Sequence, residues 1–387
     1  MKLNHDLHLA YCTNVHRGET WPETFASLKN YALAVRAKVC PQKPFAIGLR
    51  LSEHAAVDLS EGDALLQFQR WLEKNSCYVF TINGFPYGNF HGARVKEKVY
   101  QPDWTSPERV VYTNLLFDLL AQIVPAGIAG SVSTLPGSFK EFHPSADALH
   151  TIRQNLWRTV EHIAHVSKQT GKDLHLGLEP EPLCLLESSA ETIHFFDRLR
   201  AEHPHDPRLN AHLGVNYDTC HFAVEFEEPH NALPCLVNHG IKISKIHLSS
   251  ALKVSPTPEA REELKKFSDD VYLHQVVERD ETGARKIFRD LPDALAAESS
   301  PSAEWRIHFH IPLHAPAAPP FENTNDHLLG ILDLLQASPE LCAHLEMETY
   351  TWEVLPPELK TQNVVDQLAA EYDWTLAELA KRGLASQ

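Results

Sequence analysis

Residues Leu213 to Phe222 read LGVNYDTCHF. Leu213, Val215 and Tyr217 mark a buried strand, the strand ends in Asp218, and His221 follows one turn later. Where a strand runs into its connection, a carboxylate and an imidazole at this spacing face one opening and converge on one cation or one proton. Working outward, other apolar runs end in the same way. HLGLEPEP closes on Glu179 and Glu181, KISKIHLSS on His247, and AHLEMETYTW on Glu346 and Glu348. Each acid pair alternates along an extended segment and shares a face, so one or both members reach the opening. Pro180 and Pro182 stiffen the first pair, which lowers the entropy cost of using it as a ligand.

The rest of the chain alternates between strand and helix periods. Strands are expected at Leu7–Cys12, Phe45–Leu51, Tyr78–Ile82, Gly130–Thr134, Leu174–Glu179, Ile243–Leu248 and Ala343–Thr349, besides the opening stretch. Helices are expected over Pro22–Val39 behind Thr20, after Ser60, from Ser106-Pro107-Glu108 to Ile123, after Ser145, over Ser189–Ala201 and over Asp326–Gln336. Strands separated by helices argue for parallel βα units. An open doubly wound sheet carries a glycine-rich turn after its first strand, and YCTNVHRGET has none. A closed barrel places its chemistry at the C-terminal strand ends, where these acids and histidines lie. The expected fold is therefore an α/β (β/α)8 TIM barrel, one domain over residues 1–387.

Between the seventh and eighth strands, at about 250–325, the rhythm breaks. Tyr272–Val277 and Lys286–Arg289 form a β-hairpin around Asp280-Glu281-Thr282-Gly283, followed by WRIHFHIPLH and the proline-rich Ala315–Pro320. His308 and His310 share a face of an extended segment. This insertion is expected to fold over the mouth as a lid or wall, offering His310 and His274 to a ligand or a second metal. The loop from Asn83 through His91 to Trp104 is longer than a connection requires, which marks it as functional or mobile. The tail from about Glu358 reads as a helix for packing or homo-oligomer contact.

Net charge is −16 over 387 residues, with no Lys/Arg cluster. That balance repels nucleic-acid backbones and anionic membranes. Seven cysteines without a CxxC spacing read as reduced thiols in a cytoplasm; Cys220, between Asp218 and His221, reads as a small buried hydrophobe. No signal peptide is visible at the N-terminus, and the most apolar region, Thr113–Val132, is interrupted by Asp118, Gln122 and Pro125, against membrane insertion.

Taken in order on successive strands, LEPEP, YDTCHF, KIHLSS and MET resemble the xylose-isomerase-like superfamily of barrels, which holds sugar isomerases, sugar epimerases and zinc-dependent apurinic endonucleases. YCTNVHRGETW, NGFPYGNFHGARVKEKVYQPDW and HLEMETYTWEVLP resemble the EboE family of metabolite-traffic barrels of ebo gene clusters, over nearly the whole chain. The resemblance implies a divalent metal (Mn, Zn or Mg) held by Glu179, Asp218, His247 and Glu348, with His221 beside it. LEPEP is similar to the isomerases' IEPKP, with Glu181 where those enzymes place a lysine. Leu135 stands where the endonucleases have a histidine, which argues against a three-zinc cluster. A metal so held polarises a carbonyl or hydroxyl while a free carboxylate or histidine moves a proton. Glu181, His221 and His310 are the expected proton-transfer residues; Asn83, His91, His274 and Glu346 are the expected substrate contacts. The reading is an isomerase or epimerase-like barrel acting on or binding a small polyhydroxylated metabolite. The alternatives are a non-catalytic binding or trafficking protein and, third, an endonuclease.

Overall fold

The alternating apolar runs become the staves of one closed parallel barrel in the computed structural model, which describes residues 1–91, 94–298, 300, 303–315, 319–357, 360 and 362–386. Strands β1 (His8–Cys12), β2 (Phe45–Arg50), β3 (Cys77–Asn83), β4 (Gly130–Thr134), β5 (Leu174–Leu178), β6 (Leu213–Asp218) and β7 (Lys242–Leu248) follow one another around it. An insertion then contributes β8 (Ala251–Val254), β9 (Val276–Arg279), β10 (Arg285–Phe288), β11 (Glu304–His310) and β12 (Phe321–Asn323) before β13 (His344–Met347) closes the barrel between β7 and β1. Helices cover the outside, so the staves are buried on both faces and read as nearly continuous apolar runs.

The cap signals act where they stand. Thr20 and Glu23 form a reciprocal capping box ahead of Trp21–Ser27, Ser106 caps Pro107–Ile123, and Ser145 caps Ala146–Thr170. One expectation needs correction: Ser60 does not start a helix but ends Glu53–Ser60, which Ser52 caps, and the next helix is Ala64–Lys74. Gly62, at φ 53, breaks the chain between them. The expected Pro22–Val39 helix is continuous but passes through a π turn at Leu28–Ala32.

The insertion is larger than a hairpin. β9 and β10 pair around the 280–284 turn, but they belong to a five-stranded antiparallel sheet in the order β10-β9-β11-β8-β12. Strand β8 was not expected, because its four residues follow Ser249-Ser250 too closely after β7 to show a period. The loop after β3 reaches this sheet: Val95 and Lys96 donate backbone N–H groups to Val271 O at 2.9 and 2.8 Å. Loop and sheet together wall the C-terminal mouth of the barrel. Residues 316–318 of the proline-rich stretch, and 358–359 where the tail begins, lie outside the described residues. The tail helix Val364–Lys381 packs back on the barrel, with the Tyr372 ring 5.8 Å from Phe45. No described helix is long and apolar enough to cross a membrane.

Two positions give stability predictions. A Cβ on Gly48 would stand 1.7 Å from Glu346 Oε1 and 2.6 Å from its Cδ, deep in the barrel. Glu346 is held by Lys245 and His247 and cannot swing clear. Gly48→Ala is expected to lower the unfolding free energy by about 1–3 kcal/mol in a urea titration; an unchanged midpoint would show that Glu346 has room to move.

Glu371, on the tail helix, is buried and accepts from Thr349 Oγ1 at 2.7 Å. Burial pushes its pKa from 4.5 up to about 7. Between those values the folded chain holds a proton that the unfolded chain releases, so stability from this group is present below pH 4.5 and is lost as pH rises to 7. Glu371→Gln removes that loss. The variant should gain on the parent from pH 4.5 to 7 by roughly 3 kcal/mol, with a constant difference above pH 7; equal pH slopes for the two proteins would refute it.

Candidate metal centre

Four neighbouring staves bring their ends together. Parallel pairing sets Asp218 of β6 beside His247 of β7, and His247 beside Glu346 of β13. Glu179 follows β5, and Glu348 follows β13 with its backbone N–H on Leu248 O at 3.0 Å. His247 Nδ1 consequently lies 3.0 Å from Glu179 Oε1, 3.1 Å from Glu348 Oε2 and 3.4 Å from Asp218 Oδ2. One ligand atom from each of these four buried residues falls within 4.8 Å of all the others.

Local chemistry aims each donor. Asp218 spends Oδ1 on the backbone N–H groups of Cys220 (2.7 Å) and His221 (3.1 Å) and on the Ser249 hydroxyl (2.5 Å), capping the short helix Thr219–Val224. Its Oδ2 is left without a partner, as is Glu179 Oε2. Asn14 Nδ2 donates to Glu348 Oε1 at 2.6 Å and turns Oε2 inward. Behind the imidazole, His247 Nε2 meets Glu346 Oε2 at 3.0 Å, and Lys245 Nζ donates to the same oxygen at 2.6 Å. A proton on Nε2 frees Nδ1 for a cation.

Burial works against every charge here, and the neighbours outweigh it. Carboxylates of Glu348 and Glu179 hold His247 well above its ordinary range. His247 in turn holds Glu179 down, and with His221 it holds Asp218 well below the usual carboxylate value. Lys245 draws Glu346 down to about 2. Partnerless buried carboxylate oxygens converging with one imidazole nitrogen fit a hard divalent cation such as Mn²⁺ or Mg²⁺, or Zn²⁺.

A second cluster adjoins the first. His221 Nδ1–H donates to Pro180 O (2.9 Å), His310 Nδ1–H to Glu348 O (3.0 Å) and His308 Nδ1–H to Gln275 Oε1 (2.7 Å). Those bonds leave the Nε2 lone pairs free, and Nε2 of His308 and of His310 has no partner. Asp218, His221 and His310 form one ligand group, and Cys220, His308 and His310 another. Burial, with the neighbouring imidazoles, keeps His308 well below its ordinary value, so it stays a neutral donor. Cys220 is therefore more than a small hydrophobe in position, although burial pushes its thiol up.

The expected site residues separate into those at the cavity and those behind it. Of them Asn83, Glu179, Glu181, His221 and Glu348 line the cavity, joined by His308, which was not among the expected site residues. Glu181 accepts from the Tyr100 hydroxyl at 2.9 Å, and burial raises it to about 7, the range of a general acid or base. His310 lies under the wall, in the second cluster. His91 is turned away: its Nε2–H donates to Asn14 O and its Nδ1 accepts from Tyr272, both at 2.6 Å. His274 spends Nδ1 on His308 O (3.0 Å) and pairs through Nε2 with Asp269, so it braces β11. Glu346 sits one layer below the mouth on Lys245. Lys245, Gln275 and Tyr100 were not anticipated; only Lys245 left a signal, two positions before His247 on the same strand face.

No protein-family model and no curated protein matches the chain. Solved structures do match it. The likeness is one of fold, a closed (β/α)8 barrel, with three of them. A xylose isomerase-like TIM barrel protein from Mycobacterium smegmatis, solved in complex with magnesium, is 12% identical over 99% of both chains, with a TM-score of 0.54. An L-ribulose 3-epimerase is 13% identical over 97% of this chain and 95% of its own, TM-score 0.51. A xylose isomerase domain protein from Planctomyces limnophilus is 12% identical over 96% and 97%, TM-score 0.51.

Proposed function

We propose that the protein is a divalent-metal-dependent isomerase or epimerase-like barrel, with the metal held by Glu179, Asp218, His247 and Glu348. The observation that carries this reading is the convergence of three buried carboxylates on His247 Nδ1, two of them with an oxygen that has no partner. One neighbour solved in complex with magnesium and another described as an L-ribulose 3-epimerase support a bound divalent metal and a sugar-like reacting group. When bound there, a divalent cation supplies charge that polarises a carbonyl and an adjacent hydroxyl.

The chain's own residues do the rest. Glu181, near neutrality by burial, takes or returns a proton at the cavity floor, and Tyr100 keeps its carboxyl oriented. His221 presents Nε2 to the same floor, fixed by Pro180. Tyr272, Leu273 and Tyr350 line the cavity, and water displaced from them by a bound ligand strengthens each polar contact beside it. Barrel and inserted sheet share this cavity, which supports one domain over the whole chain. On the motif resemblance to the EboE family alone, we propose that the metabolite belongs to the processing or traffic served by an ebo cluster. An endonuclease reading is opposed by the net charge and by Leu135, which is fully buried at the end of β4.

The protein is expected to purify with between one and two divalent ions per chain, the first on the carboxylate quartet and the second on the imidazole cluster. Elemental analysis measures this. In D₂O the Mn²⁺-loaded protein should also wash deuterium into the carbon beside the carbonyl of an added hydroxyketone. A metal-free protein that gains no thermal stability from Mn²⁺ or Zn²⁺ would overturn the reading.

A further inference from the structure

All seven cysteines are free thiols, and Cys220 stands apart from the rest. The thiols of Cys40, Cys77 and Cys342 each donate to a backbone carbonyl, at 3.5, 3.4 and 3.3 Å. Cys220 sits on the first turn of Thr219–Val224 with its backbone N–H on Asp218 Oδ1 (2.7 Å) and Ser249 Oγ (2.9 Å). Its Sγ has no hydrogen bond among the described residues and lies within 4.8 Å of a ligand nitrogen of His308 and of His310. No other described thiol belongs to such a group.

Both rings come from β11 of the inserted sheet, and both are locked. Glu348 O can only accept, so His310 Nδ1 carries the proton of their 3.0 Å bond. Pro182 O takes Gln275 Nε2–H at 3.3 Å, which turns Gln275 Oε1 toward His308 Nδ1 at 2.7 Å and selects the same tautomer. Each ring is left with a lone pair on Nε2. Neither Nε2 has a partner, although His308 and His310 are only 3% and 0% exposed. A buried acceptor without a donor bears the full cost of its lost water, and one cation would offset that cost at both rings.

The charges around the thiol favour a cation over a bare thiolate. Burial pushes the thiol up, and the carboxylates of Asp218, Glu348 and Glu181 act in the same direction. A bound dication reverses this: the S–H proton leaves to solvent as the metal–sulfur bond forms, and the same carboxylates stabilise the excess positive charge. His310 also groups with Asp218 and His221, but Asp218 Oδ2 faces His247 Nδ1 at 3.4 Å within the carboxylate quartet. A cation in the quartet takes that oxygen. The set left for a second ion is two imidazoles and a thiolate, which suits Zn²⁺ and disfavours Mg²⁺ and Mn²⁺. On one Zn²⁺ such ligand atoms stand about 3.5 Å apart, so small side-chain rotations close the set.

We propose that Cys220, His308 and His310 hold a Zn²⁺ ion, which ties β11 of the inserted sheet to the helix that follows β6. The proposal rests on the two-ion reading above and gives the second ion its ligands and its metal.

The test adds Co²⁺, a spectroscopic substitute for Zn²⁺, to the reduced, metal-free protein under argon. Bound at Cys220 it is expected to give a sulfur-to-cobalt charge-transfer band in the near ultraviolet, which oxygen and nitrogen ligands do not produce, and excess Zn²⁺ should abolish it. Cys220→Ser should lose the band. His308→Leu, which keeps the thiol, should lose it too at one equivalent of Co²⁺, with circular dichroism to confirm folding of both. Glu179→Gln, which weakens the quartet alone, should keep it. Co²⁺ bound by the parent without the band overturns the inference, as does a band that persists in Cys220→Ser or in His308→Leu, or one that vanishes in Glu179→Gln. A parent that takes up Mn²⁺ but shows no band keeps the quartet and loses this site; a parent that shows the band but takes up no Mn²⁺ keeps this site and loses the quartet.

Discussion

Asp218→Asn is expected to weaken Mn²⁺ binding by at least about a hundredfold, more than the 10–100-fold range of changes one shell further out. The change replaces one oxygen by an NH₂ group. The remaining Oδ1 still accepts from Cys220, His221 and Ser249, so the cap on Thr219–Val224 and the local fold survive. What disappears is Oδ2, the buried carboxylate oxygen that has no partner within the chain. In its place stand donors facing His247 and Glu348, which repel a cation. The readout is metal content after dialysis against a weak chelator, with circular dichroism to confirm folding. Parent-like occupancy in a folded variant would mean that the quartet is an ion-pair network and not a cation site. Any deuterium exchange catalysed by the parent should fall with the metal.

Lys245→Met is expected to cost about 3–5 kcal/mol of stability, the range for removing one partner of a buried ion pair. Lys245 and Glu346 are 1% and 0% exposed, with Nζ 2.6 Å from Oε2. Burial lowers the lysine's pKa, but Glu346 outweighs it and holds the ammonium above its ordinary value. Both partners are thus shifted toward their charged forms. Methionine fills much of the space but leaves the Glu346 charge to His247 alone, which it shares with the other carboxylates. Pairing it with Glu346→Gln should restore most of the loss, since the stranded charge is then gone. Guanidinium unfolding of the single and double variants measures both statements. A single variant within ~1 kcal/mol of the parent would show that Glu346 can discharge without help.

The two predictions divide the barrel interior into layers. Glu346 with Lys245 and His247 is a support whose loss is read as stability, and Asp218 is a mouth residue whose loss is read as metal. Glu348, two residues beyond Glu346 on the same face, belongs to the mouth because the barrel's stave rises past β7 at that point. The spacing alone left either acid of the pair open.

What the amino-acid sequence determined by itself is local in origin. Runs such as Leu213–Tyr217 and Ile243–Leu248 declare buried strands because a parallel stave is apolar on both faces. Thr20, Ser106 and Ser145 declare helix starts because a cap is a contact between near neighbours in the chain. The acids and histidines at the strand ends were visible for the same reason. Tertiary structure alone decided which of them share an atom-scale site, because that depends on register between strands far apart in the chain. It turned His91 and His274 away by offering both nitrogens of each ring a partner, set Lys245 under His247, and brought His308 and His310 across from the inserted sheet to meet His221. No spacing along the chain records how a hydroxyl or an amide will be satisfied by a residue a hundred positions away, as Tyr272 meets His91 and Gln275 meets Tyr100.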